Sequence, residues 1–133
     1  MISILDLQAA VRKKLIANAP LTKMVADRIY TNHFYDFDNG TIEMPLVIIE
    51  VEGGSANYAG HNQSVSFYLY SYSRDSSSEA SEVYDLISVA LHGEKLEADQ
   101  KGFIQEVNRP ISGYNSAARS YFIRGTYLAL SAG

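Results

Sequence analysis

The sequence predicts an α+β fold, a single mainly antiparallel β-sheet of about four to five strands packed by an N-terminal helix and a central helix. Two stretches carry this reading. The run L-V-I-I-E-V after Pro45 is nearly continuous in β-branched and apolar residues, as a strand covered on both faces requires. From Ser64 to Gly93, S-V-S-F-Y-L-Y-S-Y-S-R-D alternates Val65, Phe67 and Leu69 with Ser66, Tyr68 and Tyr70, then passes through serines into S-E-A-S-E-V-Y-D-L-I-S-V-A-L-H-G, an amphipathic helix over about 76–92.

Taken in order, Ser3 can cap a first helix whose apolar stripe is Ile4, Leu7, Val11 and Leu15, with Asp6 in the opening turn and Arg12, Lys13 and Lys14 toward its end. Those bases form either a solvated face or a partner patch. Asn18-Ala19-Pro20 ends that helix, Leu21 to Ala26 allows one more turn, and Ile29-Tyr30 opens a short extended piece. Asn32 to Met44 mixes aromatics and acids around an Asn-Gly turn signal. Gly53-Gly54 to Gln63 reads as a connector joining the Pro45 strand to an antiparallel Val65 strand. In the central helix Ser76 and Glu79 have capping-box spacing, so each can satisfy an N–H of the first turn. Ala80, Val83, Tyr84, Ile87 and Leu91 form the buried stripe, and His92-Gly93 supplies a last-turn cation and a left-handed cap. F-I-Q-E-V-N-R-P-I-S then reads as one strand whose Pro110 confines its end to an edge or a bulge, and Gly113 to Ser116 as a turn. The last strand, Arg119 to Leu130, places Tyr121, Ile123 and Tyr127 on one face and Phe122, Leu128 and Leu130 on the other, with Gly125 as a bulge.

The chain of 133 residues, 47% hydrophobic and 20% charged, fits one domain over 1–133. Having no cysteine, it has no disulfide, thiolate metal site or cysteine nucleophile. No segment approaches the roughly 20 apolar residues of a membrane span. The net charge is −4 and the 11 basic residues are scattered, so no field draws the protein onto nucleic acid. Ten tyrosines and no tryptophan place amphipathic rings on strands, where β-propensity and protein interfaces both favour them.

Catalytic and metal motifs are poorly met. Asp36-Phe37-Asp38-Asn39-Gly40 departs from a calcium loop, since glycine comes one residue early and the twelfth position is Val47. His33, His61 and His92 have no zinc spacing, and there is no Gly-x-Ser-x-Gly elbow or phosphate loop. No catalytic residue, cofactor or metal is expected. An alternative reading is a small-ligand-binding or hydrolytic domain using His33, Asp36, Asp38 or His61 in a loop cleft.

The succession V-R-K-K-L, D-R-I-Y, M-P-L-V-I-I, Y-S-Y-S-R-D and E-A-S-E-V-Y-D-L-I-S-V-A-L-H-G-E-K-L resembles the tail terminator or tail completion proteins of long-tailed bacteriophages, over about Val11 to Leu96. That resemblance implies a non-enzymatic virion neck subunit, assembled in the bacterial host cytoplasm. It implies a homo-oligomeric ring, commonly of six copies, on the head-proximal end of the tail tube. The ring would stop tube polymerisation, meet the head completion or connector protein, and let DNA pass its lumen without specific binding. Another neck or adaptor ring is the nearest alternative. Candidate interface residues are Tyr35, Asp36, Phe37 and Asp38 of the aromatic loop, Tyr58 and His61 of the glycine-rich connector, and Arg74 and Asp75 of the turn before the helix. That turn is expected at a sheet edge open to a neighbouring subunit.

Overall fold

The computed structural model describes residues 4–32, 42–57, 62–92 and 102–132. The chain forms α1 (Ile4–Ile16), α2 (Ala19–Val25), β1 (Ile29–Tyr30), β2 (Leu46–Asn57), β3 (Asn62–Ser73), α3 (Ser77–Leu91), β4 (Gly102–Glu106), β5 (Ile111–Asn115) and β6 (Ser120–Ala132). The strands make one sheet in the order β1-β2-β3-β6-β4, with β5 also paired to β6. Every pairing is antiparallel except β1 with β2.

Asn18 both follows α1 and begins α2. Its Oδ1 accepts from the Leu21 N–H at 2.9 Å, with Pro20 in the first turn where no N–H is needed. The two helices bury Leu7, Val11, Leu15, Leu21 and Val25 against one face of the sheet. Ser3 lies outside the described residues. The Arg12 guanidinium donates to the Ile29 carbonyl at 2.8 Å, fastening α1 to β1. Arg28 donates through Nε to the Pro45 carbonyl at 2.9 Å and pairs with Glu43 at 3.4 Å, which sets β1 beside β2.

The β2 run is covered on both sides, as its composition predicts. Val47 and Ile49 join the core under the helices, while Leu46 and Ile48 join Tyr72 and Ala118 in a second cluster on the opposite face. The connector read over Gly53 to Gln63 is instead mostly sheet. β2 runs to Asn57 and β3 starts at Asn62, because the backbone pairing continues past a register shift between Val51 and Gly53 that absorbs the extra residue. Leu69 and Phe67 pair with Ile49 and Val51 in the antiparallel arrangement the alternation implies.

All five residues of the predicted α3 stripe are buried. Ser76 Oγ accepts from the Glu79 N–H at 3.0 Å, completing half of the capping box. The other half is replaced: Glu79 Oε1 accepts from the Ser73 hydroxyl at 2.7 Å, and the Ser76 N–H donates to Ser73 Oγ at 3.4 Å. Ser71 Oγ donates to the Ala80 carbonyl at 2.6 Å, so the serines that end β3 hold the first turns of α3 to the sheet. His92 is the C-cap, in extended rather than left-handed conformation, and Gly93 lies outside the described residues.

The C-terminal region corrects three sequence expectations. The segment around Pro110 is two strands rather than one, β4 and β5, laid end to end along β6. Residues 107–110 are the exposed gap between them, where Pro110 lacks the N–H that a ladder needs. Gly113 is a strand residue and the turn falls at 116–119. A Cβ on Gly113 would sit 2.7 Å from the Phe122 ring, which covers the glycine from the neighbouring strand. Finally, the pairing of β3 with β6 runs from Asn62–Ala132 to Ser73–Tyr121 with no break at Gly125. That glycine accommodates the Tyr84 side chain rather than a bulge: a Cβ there would lie 1.7 Å from the Tyr84 hydroxyl.

Candidate assembly surfaces

The turn between β3 and α3 is built on Ser73. Its hydroxyl donates to Glu79 and accepts from the Asp75 N–H at 3.1 Å, so the turn is fixed before any partner arrives. Arg74 and Asp75 then diverge. Asp75 is exposed. Arg74 is half-buried and donates through Nη1 to the Ile42 carbonyl, while its Nε and Nη2 are buried without a hydrogen-bond partner. Ser120 Oγ, at the start of β6, is buried without a partner too. The turn therefore presents its acid outward and spends its base inside. Tyr35, Asp36, Phe37, Asp38, Tyr58 and His61, together with His33, lie outside the described residues.

The most perturbed titratable groups sit between α3 and the sheet. Tyr84 reaches over Gly125 and donates to Glu106 Oε2 on β4. Its oxygen can then accept from the Tyr127 hydroxyl 3.1 Å away. His92 Nδ1 accepts from the Glu106 N–H at 3.2 Å, which places the proton of the neutral ring on Nε2 and gives β4 a second tie to the end of α3. Burial, then the hydrogen bond to Glu106, holds Tyr84 well above the ordinary tyrosine value; burial likewise pushes Tyr127 up to about 12. Both phenols are neutral at physiological pH, so the cluster is a latch rather than a base or nucleophile.

A pH dependence follows. Both folded-state values lie above the unfolded value of about 10, so the unfolded chain loses these protons first as pH rises. The cluster's contribution is fully present below about pH 10 and is lost above it, at up to about 1.4 kcal/mol per pH unit for each tyrosine. Urea unfolding between pH 9 and 11.5 should show this decline, and Tyr84→Phe should make it shallower by about one proton. Equal slopes in the two proteins would refute the assignment.

The helix-free face carries Tyr68, Tyr70, Tyr72 and Phe122, with Tyr72 buried in the second cluster and Tyr70 and Phe122 packed against it. Tyr70 stacks on Tyr72 with centroids 5.7 Å apart, and the Arg124 guanidinium lies 4.8 Å from the Tyr68 ring. The most exposed apolar residues lie on α3 and β5. Val89 on α3 is 77% exposed, and Ile111 and Tyr114 on β5 are 48% and 54% exposed. Tyr114 meets Tyr121 edge to face at 5.0 Å, so the β5 side of the sheet ends in an aromatic pair open to solvent. An open recess of about 340 Å³ lies between the ends of α1 and α3, lined by Lys14, Ala17, Asn18, Val89 and Ala90. Its lining holds no carboxylate, histidine or hydroxyl side chain. Among the described residues no group of three or more histidines or carboxylates could hold a metal ion, and no helix is long and apolar enough to cross a membrane.

None of these exposed apolar positions is among the eight interface candidates read from sequence. Val89 had a legible signal, since it falls off the buried stripe of α3. The β5 residues had none, because their exposure depends on which strand they pair with.

No protein-family model matches this chain, and no curated protein matches it. Its fold does occur among solved structures. One chain of the virion of a native gene transfer agent particle superposes with a TM-score of 0.72, over 96% of this chain and 95% of that one, at 18% identity.

Proposed function

We propose that this protein is a structural subunit of a phage-like virion, acting as a tail terminator in the neck between tail and head. The observation that carries the reading is the end-to-end fold similarity to a chain of the gene transfer agent virion, which spans nearly all of both chains. The ordered resemblance from Val11 to Leu96 supports the finer assignment. Copies assemble in the host cytoplasm into a ring, of six in this reading, on the head-proximal end of the tail tube. There the ring halts addition of tube protein and offers its other side to the head completion or connector protein. A chain of net charge −4 suits a lumen through which DNA slides, because a basic lumen would hold phosphates. The proposed contacts include the loop residues Tyr35 to Asp38, with Tyr58, His61, Arg74 and Asp75.

The test is to polymerise the cognate tail-tube protein with and without this chain, followed by light scattering and electron microscopy. Rings on one tube end and arrested growth are expected. A chain that stays monomeric over a wide concentration range and leaves tube growth unchanged would end the proposal.

A further inference from the structure

From Val107 onward the sequence contains three arginines, Arg109, Arg119 and Arg124, and no aspartate or glutamate. Arg109 and Arg119 are exposed and flank β5, which pairs with β6 alone among the described residues. Val107, Ile111, Tyr114 and Tyr121 are exposed along that edge, Ile111 on the face of its partner Arg124 and Tyr114 on the opposite face with Tyr121. The result is an apolar sheet edge with an open backbone, bracketed by positive charge. Such an edge invites a partner unless something covers it.

The opposite character appears on α3. Its three charged residues, Glu79, Glu82 and Asp85, are all acidic. Glu82 and Asp85 are exposed with Val89 on the side away from the sheet, and Asp75 is exposed just before the helix. Among the described residues, Arg109, Arg119, Glu82 and Asp85 form no hydrogen bond or ion pair within the subunit. Each surface thus has charge to offer and an apolar residue beside it.

We infer that the β5 edge of one copy docks against the acidic outer face of α3 in the next. The occupant is a second copy of this chain, since the charge complementary to the edge lies on the chain itself. This deepens the ring reading and rests on it. The two patches differ, so the contact is head to tail rather than two-fold. One patch lies along the sheet edge and the other on the back of a helix stacked on that sheet. The operation carrying one copy to the next therefore includes a rotation, as a closed ring requires. Opposed charge fixes the direction of docking and disfavours edge-to-edge pairing of two basic β5 strands.

The test is a charge swap. Arg109→Glu with Arg119→Glu, and separately Glu82→Lys with Asp85→Lys, should each weaken assembly at least tenfold in analytical ultracentrifugation while thermal unfolding is unchanged. Mixed one to one, the two variants should assemble again, because the acidic edge of the first fits the basic helix of the second, and the unaltered basic edge of the second fits the unaltered acidic helix of the first. If the wild type forms no oligomer, alone or with tube protein, the ring reading itself fails. If the wild type assembles and either double variant assembles equally well, or the mixture of two impaired variants stays apart, this pairing of surfaces is wrong and the ring reading stands.

Discussion

Gly125→Ala is expected to destabilise the protein by roughly 3 kcal/mol, the high end for forcing one methyl group into a filled core. The new Cβ would lie 1.7 Å from the Tyr84 hydroxyl and 2.5 and 2.7 Å from two of its ring carbons. Tyr84 cannot retreat cheaply. Its ring is buried, and its hydroxyl is held by Glu106 and Tyr127, so moving it breaks the latch that joins α3, β4 and β6. Equilibrium urea unfolding of the two proteins measures the loss. Adding Tyr84→Phe should restore only part of it, since the ring carbons still collide. A loss of less than about 1 kcal/mol for Gly125→Ala would show that the ring yields and that the glycine is not required by packing.

Arg74→Glu is the second large effect, expected at roughly 2 to 4 kcal/mol. The substitution removes the bond to the Ile42 carbonyl and places a carboxylate facing that carbonyl in a half-buried site. Arg74→Met should behave differently. It also loses that bond, but it removes two buried nitrogens that have no partner, so its net change should stay within about 1 kcal/mol. Denaturation midpoints of the two variants decide the matter; equal stability of Arg74→Glu and wild type would show the guanidinium is not structural. The sequence alone placed Arg74 among the candidate subunit contacts. With Arg74 turned inward, the exposed Asp75 is the cleaner probe of contacts at that turn.

Local chemistry was legible where it repeats. The α3 stripe, the Ser76 cap and the alternation of β3 all follow from spacing within a few residues, and all occur as read. Sequence reasoning failed where the cause lies far along the chain. Gly125 resembles a bulge until Tyr84 is seen to occupy its missing side chain. Gly113 resembles a turn until Phe122 is seen to cover it. Pro110 signals an edge or a bulge at a strand end, but nothing local says that the chain resumes beyond it as a new strand on the same neighbour. The candidate contacts show the same limit. Arg74 and Asp75 are adjacent in sequence and share one turn, yet a carbonyl at Ile42 draws one inward and leaves the other in water.

The strand β6 follows β3, β4 and β5 in the chain and pairs with all three. In the order of synthesis, each of its neighbours therefore waits for it. A nascent chain that has emerged only as far as the 116–119 turn has α3 and the β2–β3 hairpin, but the long edge of β3 is open and β4 and β5 have nothing to pair with. Contacts of such sequence separation form slowly. The period before β6 arrives is the one in which the open β3 edge could capture another chain. The exposed β5 edge, by contrast, forms only with β6, its one partner among the described residues, so the chain must reach its last strand before that edge can serve in docking.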